Sequence, residues 1–163
     1  MCIRDRSWIV VRVRSDVKVE RSIRETMHHL NLTRVNHAVI VPKNDQYRGM
    51  LQKAKDYITW GEADLGTVES MLRHRGRMVG GAPLTDEAVS EAGVHADIGA
   101  LATAIASGDG TVKDVPNMKR VFRLHPPRGA KRWGGIKRSH VNGGALGPRG
   151  DAIGALIERM VEQ

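Results

Sequence analysis

Thr33-Arg34-Val35-Asn36-His37-Ala38-Val39-Ile40-Val41-Pro42 closes on four consecutive apolar residues and a proline. An unbroken apolar run of that length reads as a strand buried on both faces, and Pro42 stops it because it has no N–H to give to a ladder. Working outward, Trp8-Ile9-Val10-Val11-Arg12-Val13-Arg14 is rich in β-formers, ends in alternation and predicts a second strand. Between the two, Ile23, Met27 and Leu30 fall at i, i+4 and i+7, on one face of a helix over residues 20–30, with Arg21, Arg24 and Glu25 mostly elsewhere. Beyond Pro42, Asn44-Asp45-Gln46 is turn-like, and Met50, Leu51, Ala54 and Ile58 trace another helical stripe that leaves Arg48, Lys53 and Lys55 largely to one side.

Trp60-Gly61-Glu62-Ala63-Asp64 breaks that pattern. Val68, Met71 and Leu72 suggest a third helix ending near Gly76, followed by the loop Gly80-Gly81-Ala82-Pro83. Thr85-Asp86-Glu87 is a helix start. Residues 98–106 are nearly all small or aliphatic and predict a buried helix, and Gly108-Asp109-Gly110 is a turn. Val121, Phe122 and Leu124 support a strand closed by His125-Pro126-Pro127. Ile153, Leu156, Ile157, Met160 and Val161 mark a C-terminal amphipathic helix. No internal repeat is present.

A chain of 163 residues with 40% hydrophobic and 4% aromatic residues suits one domain whose core rests on Val, Ile, Leu, Met and Ala. The net charge of +8 favours a polyanionic partner. That charge is concentrated: residues 113–150 hold ten Lys and Arg against one acid, Asp114, a surplus of nine, which leaves −1 for the rest of the chain. The segment is also Gly-rich and without periodicity, and it buries too little apolar surface to offset its own ordering. It reads as an arm that orders on nucleic acid, its arginines bridging phosphates and Trp133 stacking on a base or sugar.

Other classes fit less well. No apolar run nears the roughly 20 residues that span a bilayer, and the cations do not line one amphipathic helix. Cys2 has no partner for an internal disulfide, which suits a reducing compartment. The first residues lack a signal-peptide core, so Asn31-Leu32-Thr33 is a chance match to a glycosylation acceptor. There is no P-loop, no Gly-x-Gly-x-x-Gly and no nucleophile elbow. The seven histidines show no metal-ligand spacing, and His28-His29 point apart on a helix. Glu62 and Asp64, like Asp86-Glu87, suit helix capping better than acid/base chemistry. No enzyme, cofactor or metal is therefore expected. The rivals to a structural RNA-binding role are a free-standing RNA-binding or chaperone protein and, last, an RNA-modifying or RNA-cleaving enzyme, which needs a pocket holding a general base.

Thr33 to Pro42 resembles the second strand of the ribosomal protein L thirty family in its archaeal form, whose eukaryotic counterpart is large-subunit protein seven. Tyr47-Arg48-Gly49-Met50-Leu51-Gln52-Lys53-Ala54-Lys55-Asp56-Tyr57 resembles the helix that follows there, and Trp60-Gly61-Glu62 the break after it. Val121-Phe122-Arg123-Leu124-His125-Pro126-Pro127-Arg128-Gly129 resembles the last strand and its exit, and Gly143-Gly144-Ala145-Leu146-Gly147 the later glycine motif. The resemblance runs from about Trp8 to the end.

It implies an α/β (α+β) fold with a ferredoxin-like β-α-β-α-β core: a small, three-stranded antiparallel sheet backed by helices, inserted helices before the last strand and a basic C-terminal extension. Val, Ile and Phe122 of the sheet are expected against Ile23, Met27, Leu51 and Ile58. The expected boundaries are an unrelated prefix over 1–7, a domain over 8–127 with its insertion at about 62–112, and the extension over 128–163. The implied role is cytoplasmic and ribosome-bound: a structural constituent of the large subunit that binds its 23S-type rRNA, neighbours other large-subunit proteins and supports assembly and translation. Carried onto this chain, the RNA contacts are Arg34, Asn36, His37, Arg48 and Lys53 on the body. On the extension they are Arg123, His125, Arg128, Lys131, Arg132, Trp133, Lys137, Arg138, His140 and Arg149. For each body residue a solvated side chain is an equal alternative. Ala130 stands where a second glycine often follows Arg-Gly.

Overall fold

The computed structural model describes residues 7–15, 17–108, 110–128, 133 and 135–161. β1 (Ser7–Arg12), α1 (Arg21–His29), β2 (His37–Pro42), α2 (Asp45–Lys53) and β3 (Ile58–Glu62) follow in that order. Next come α3 (Leu65–Arg75), α4 (Asp86–Glu91), α5 (Ile98–Ser107), β4 (Phe122–Arg123), β5 (Gly147–Pro148) and α6 (Ile153–Val161). The sheet order is β4-β2-β1-β3-β5. β1 is central and antiparallel to both neighbours, with Ile9 opposite Ile40 and Gly61, and Val11 opposite Ala38 and Thr59. The β-α-β-α-β run from β1 to β3 is the ferredoxin-like core of an α+β fold.

The apolar run Trp8-Ile9-Val10-Val11 is unbroken because both faces of β1 are covered. Successive side chains of a strand point to opposite faces. Trp8 and Val10 join Met27, Leu30, Val39, Val41, Leu51, Ala54, Ile58 and Trp60 under α1 and α2. Ile9 and Val11 join Ala38, Met71, Leu72, Leu101, Ile105, Phe122, Ile153 and Ile157 under α3, α5 and α6.

The sheet departs from the sequence-based expectation in three respects. It has five strands and is mixed, since β5 runs parallel to β3 with Thr59 opposite Gly147. Ile58 does not extend the α2 stripe: α2 ends at Lys53, four turn residues follow, and Ile58 opens β3 opposite Arg12. Phe122 packs in the α3–α5–α6 layer, away from Ile23, Met27 and Leu51. β4 is only two residues long and pairs with the outer edge of β2. Ser7, the last residue of the expected prefix, sits opposite Pro42 in β1, and its buried hydroxyl donates to the Ile105 carbonyl at 2.7 Å. Residues 1–6 lie outside the described residues.

Capping residues fix the helix starts. The Asn44, Asp64, Thr85 and Asp97 side chains each accept a backbone N–H three residues on. Asp64 is thus a cap, as its position suggested, while Glu62 pairs with Lys43. The segment read as an arm is, where described, packed on the body. Ala145 and Leu146 are buried with Val13, Trp133 packs against them, and α6 lies against α3 and β3.

Candidate nucleic-acid interface

The turn before β2 gathers one group of the expected contacts. Asn36 takes a positive φ of 70°, its backbone N–H donates to the Arg12 carbonyl at 2.9 Å, and its carbonyl accepts from Leu124 N–H at 3.3 Å. Asparagine tolerates this left-handed conformation better than most residues. The kink sets His37 at the head of β2, directly opposite Arg123 of β4, with Arg34 exposed in the turn. Among the described residues, Asn36 Oδ1 and His37 Nδ1 are buried polar atoms without a hydrogen-bond partner. Such atoms cost free energy until something satisfies them. Burial first, then the charges of Arg123, Arg34 and Arg12, hold the His37 imidazole below its ordinary 6.5, so it is neutral at pH 7.

Arg12 is the buried cation beneath this group. It is 3% exposed, its Nε donates to the Arg14 carbonyl and its Nη1 to the Leu32 carbonyl, both at 2.9 Å. It also lines a cleft of about 400 Å³ with Arg24, Glu25, His28, His29 and Thr33.

Arg48 and Lys53 do not join the His37 group. Arg48 lies 6.0 Å from the Trp8 ring centroid and 3.9 Å from Asp45. Trp8 sits opposite Val41, four residues along β2 from His37, or about 13 Å. Lys53 is exposed at the far end of α2.

The later candidates divide between exposed cations and structural clamps. His125 and Arg128 run beside the end of α6, where their backbone N–H groups donate to Met160 and Arg159 carbonyls at 3.2 and 3.1 Å. Arg128 is exposed, while the half-buried His125 ring donates through Nδ1 to the Pro126 carbonyl at 2.8 Å. Lys131 and Arg132 lie outside the described residues. Trp133 is half-buried against both the Val13 cluster and the larger core, so part of its ring is occupied by packing. Lys137 and Arg138 are exposed on a turn, and half-buried His140 follows. Gly144 closes that turn: a Cβ there would lie 2.2 Å from the Arg138 carbonyl oxygen.

Arg149 is committed to the fold. Its Nε donates to Thr59 Oγ1 and its Nη2 to the Ala145 carbonyl, both at 2.8 Å, and its backbone N–H reaches the Trp60 carbonyl. Burial, and then the Arg159 charge, lower its pKa to about 10, so it stays charged at neutral pH.

Arg75 and Arg77, outside the basic segment singled out in the sequence, line a cleft with Arg123 and with Lys119, which that segment contains but which was not among the expected contacts. A signal was available: Arg73-His74-Arg75-Gly76-Arg77 places four basic residues in a run of five where α3 ends. Among the described residues no group of three or more His, Cys, Asp or Glu is placed to hold a metal, and no helix is long and apolar enough to cross a membrane.

Residues 8–58, from β1 to the first residue of β3, match the ribosomal protein L30p/L7e family. Over its longer span the chain is similar to archaeal proteins. Large ribosomal subunit protein uL30 of Methanopyrus kandleri is 46% identical over 149 residues, covering 91% of this chain and 100% of that protein. The uL30 proteins of Methanosphaera stadtmanae and Methanococcus vannielii are 42% and 45% identical, covering 94% and 95% of this chain and 99% of each. An edge-strand cluster of cations on a helix-covered sheet thus occurs in a chain that belongs to the uL30 family of large ribosomal subunit proteins.

Proposed function

We propose that this protein is a structural constituent of the large ribosomal subunit, in the cytoplasm, that binds large-subunit rRNA, neighbours other large-subunit proteins and supports assembly and translation. The observation that carries the RNA contact is the cluster at the head of β2. Arg34 and Arg123 flank two buried polar atoms, Asn36 Oδ1 and His37 Nδ1, that have no partner among the described residues. A sugar-phosphate backbone supplies the negative charge that the exposed cations Arg34 and Arg123 lack, and His37, part-exposed at the head of β2, can offer it a hydrogen-bonding group. Neutral His37 acts there as a hydrogen-bonding group rather than as a charge.

The exposed cations Arg128, Lys137 and Arg138, with Lys131 and Arg132, extend the contact. They neutralise phosphates, while Trp133, His125 and His140 add packing and hydrogen bonds at the margin. Arg48 and Lys53 form a separate contact on α2. Arg149 holds β5 against β3 and so positions its neighbours. Affinity on this account is electrostatic and shape-based, with no reaction carried out on the RNA.

The test is gradient sedimentation of tagged protein from an archaeal host at low and moderate salt. Co-migration with the large subunit that survives moderate salt supports the proposal. Protein that stays at the top of the gradient yet binds free RNA points to a free-standing RNA-binding or chaperone role.

A further inference from the structure

Four cations converge on a cleft of about 260 Å³: Arg75, Arg77, Lys119 and Arg123, with Gly81 and Val121 completing the lining. Two stretches of chain far apart in sequence, 75–81 and 119–123, bring them there, and backbone hydrogen bonds hold them in place. Lys119 N–H donates to the Arg77 carbonyl at 2.9 Å, and Met78 bridges Met118. Arg77 Nη1 donates to the Gly76 carbonyl at 2.9 Å, so its guanidinium is oriented. Gly76 allows α3 to end this tightly, since a Cβ there would lie 2.5 Å from the Leu72 carbonyl oxygen. Arg75, Arg77 and Lys119 are half-buried.

Among the described residues no acid lines the cleft. The contrast lies two residues back on the same helix. Arg73 is 3.0 Å from Glu69 and 3.9 Å from Asp86, whereas no carboxylate partner is present for Arg75, Arg77, Lys119 or Arg123 among the described residues. Cations held this close repel one another, and partial burial weakens the screening that water gives. A structure that keeps them together on defined backbone hydrogen bonds is complementary to an anion. Gly81 leaves the rim open, with nothing within 4 Å of where its Cβ would stand. Through Arg123, the cleft is continuous with the His37 cluster on the neighbouring strand.

We propose that the cleft between the end of α3, the residue 77–83 turn and β4 is a second RNA site that takes the sugar-phosphate backbone. The segment inserted between β3 and β4 then binds RNA itself, alongside the sheet edge. This rests on the RNA-binding reading given above and extends it to residues outside it.

The test uses the full chain with Arg75→Gln and Lys119→Gln together, which leaves the Arg77 backbone contacts intact. A second variant, Lys137→Gln with Arg138→Gln, serves as a control for RNA binding elsewhere. Binding to a large-subunit rRNA fragment is followed as a function of salt, and thermal unfolding checks that each variant folds. Loss of two phosphate contacts flattens the slope of log K against log salt by about 1.4 to 1.8. Carried over one decade below 1 M, that weakens binding at 100 mM by roughly 25- to 60-fold. A double variant that binds as the parent does, while the control variant loses slope, overturns the cleft site and leaves the RNA-binding reading standing. A parent chain with no salt-dependent binding overturns both. Poly-glutamate captured by the parent but not by the cleft variant, with RNA binding unchanged, also overturns the proposal and assigns the cleft to an acidic protein segment.

Discussion

The two sides of the sheet were built to different rules. Under α1 and α2, the core is made by residues that follow one another closely in the chain, and this is the part that matches the L30p/L7e family over residues 8–58. Under α3, α5 and α6, the core is assembled from positions as far apart as Ile9, Phe122 and Ile157. The first side carries short-range pattern, and residues 8–58 hold ten Lys and Arg against five acids. The second is the face beside which the basic segment runs, and its helices, though locally patterned, meet strands from distant parts of the chain. β1 joins the two, because alternate residues of one strand enter different cores. The comparison teaches that a core drawn from neighbours in the chain and one drawn from distant segments share one central strand, and that the cations of the interface come from both parts of the sequence.

The sharpest way to break that picture is Gly61→Ala. Its Cβ would lie 2.2 Å from the Gly150 carbonyl oxygen and 2.6 Å from Ile153 Cβ. Backbone and the first turn of α6 must move, so a loss of about 4 kcal/mol or more is expected in chemical denaturation. A loss under about 1 kcal/mol, as for an ordinary surface site, contradicts the close packing of α6 on β3. Next come Leu51→Ala on one side and Leu101→Ala on the other, both residues essentially unexposed. Each is expected to cost about 2–5 kcal/mol and to leave a single unfolding transition, because β1 couples the cores. Two separate transitions in calorimetry would show that the sides unfold independently.

Arg149→Met is a smaller perturbation. It leaves Thr59 Oγ1 and the Ala145 carbonyl without their donor, for an expected loss of about 1–3 kcal/mol. The smallest effect concerns His37. The unfolded chain takes up a proton near 6.5 that the folded chain resists until lower pH. Stability from this group is therefore present above pH 6.5 and lost as pH falls through the lower folded value. Replacement by Asn should flatten the pH dependence of thermal unfolding in that window, and an unchanged profile would remove His37 as its source.

Much of the first side was legible. The stripe of Ile23, Met27 and Leu30 and the run ending at Pro42 correspond to α1 and β2. On the second side, the buried helix over 98–106 and the Thr85 start were equally plain, because local period and capping chemistry decided them. β3 was not legible. Ile58 stands four residues after Ala54 and so continues a helical stripe, and Gly61 reads as a break when it is the point where Gly150 and Ile153 press on the strand. β5 is two residues, one of them a proline at a sheet edge, with no pattern to find. At the interface, charge density pointed to residues 113–150, but it could not separate exposed Lys137 and Arg138 from half-buried Arg149, which donates through Nε and Nη2 to Thr59 and Ala145. Nor does one-dimensional charge counting bring Arg75 and Arg77 next to Lys119, since that pairing arises from the Arg77–Lys119 backbone hydrogen bond.

The central claim is that this basic surface binds large-subunit rRNA through its phosphates. The most direct test is the equilibrium affinity of the full chain for a large-subunit rRNA fragment between 50 and 200 mM salt. If five of these cations meet phosphates, the slope of log K against log salt is about −3.5 to −4.5, and so the affinity falls by about 2.1 to 2.7 decades. An affinity that stays flat across that range would contradict the claim.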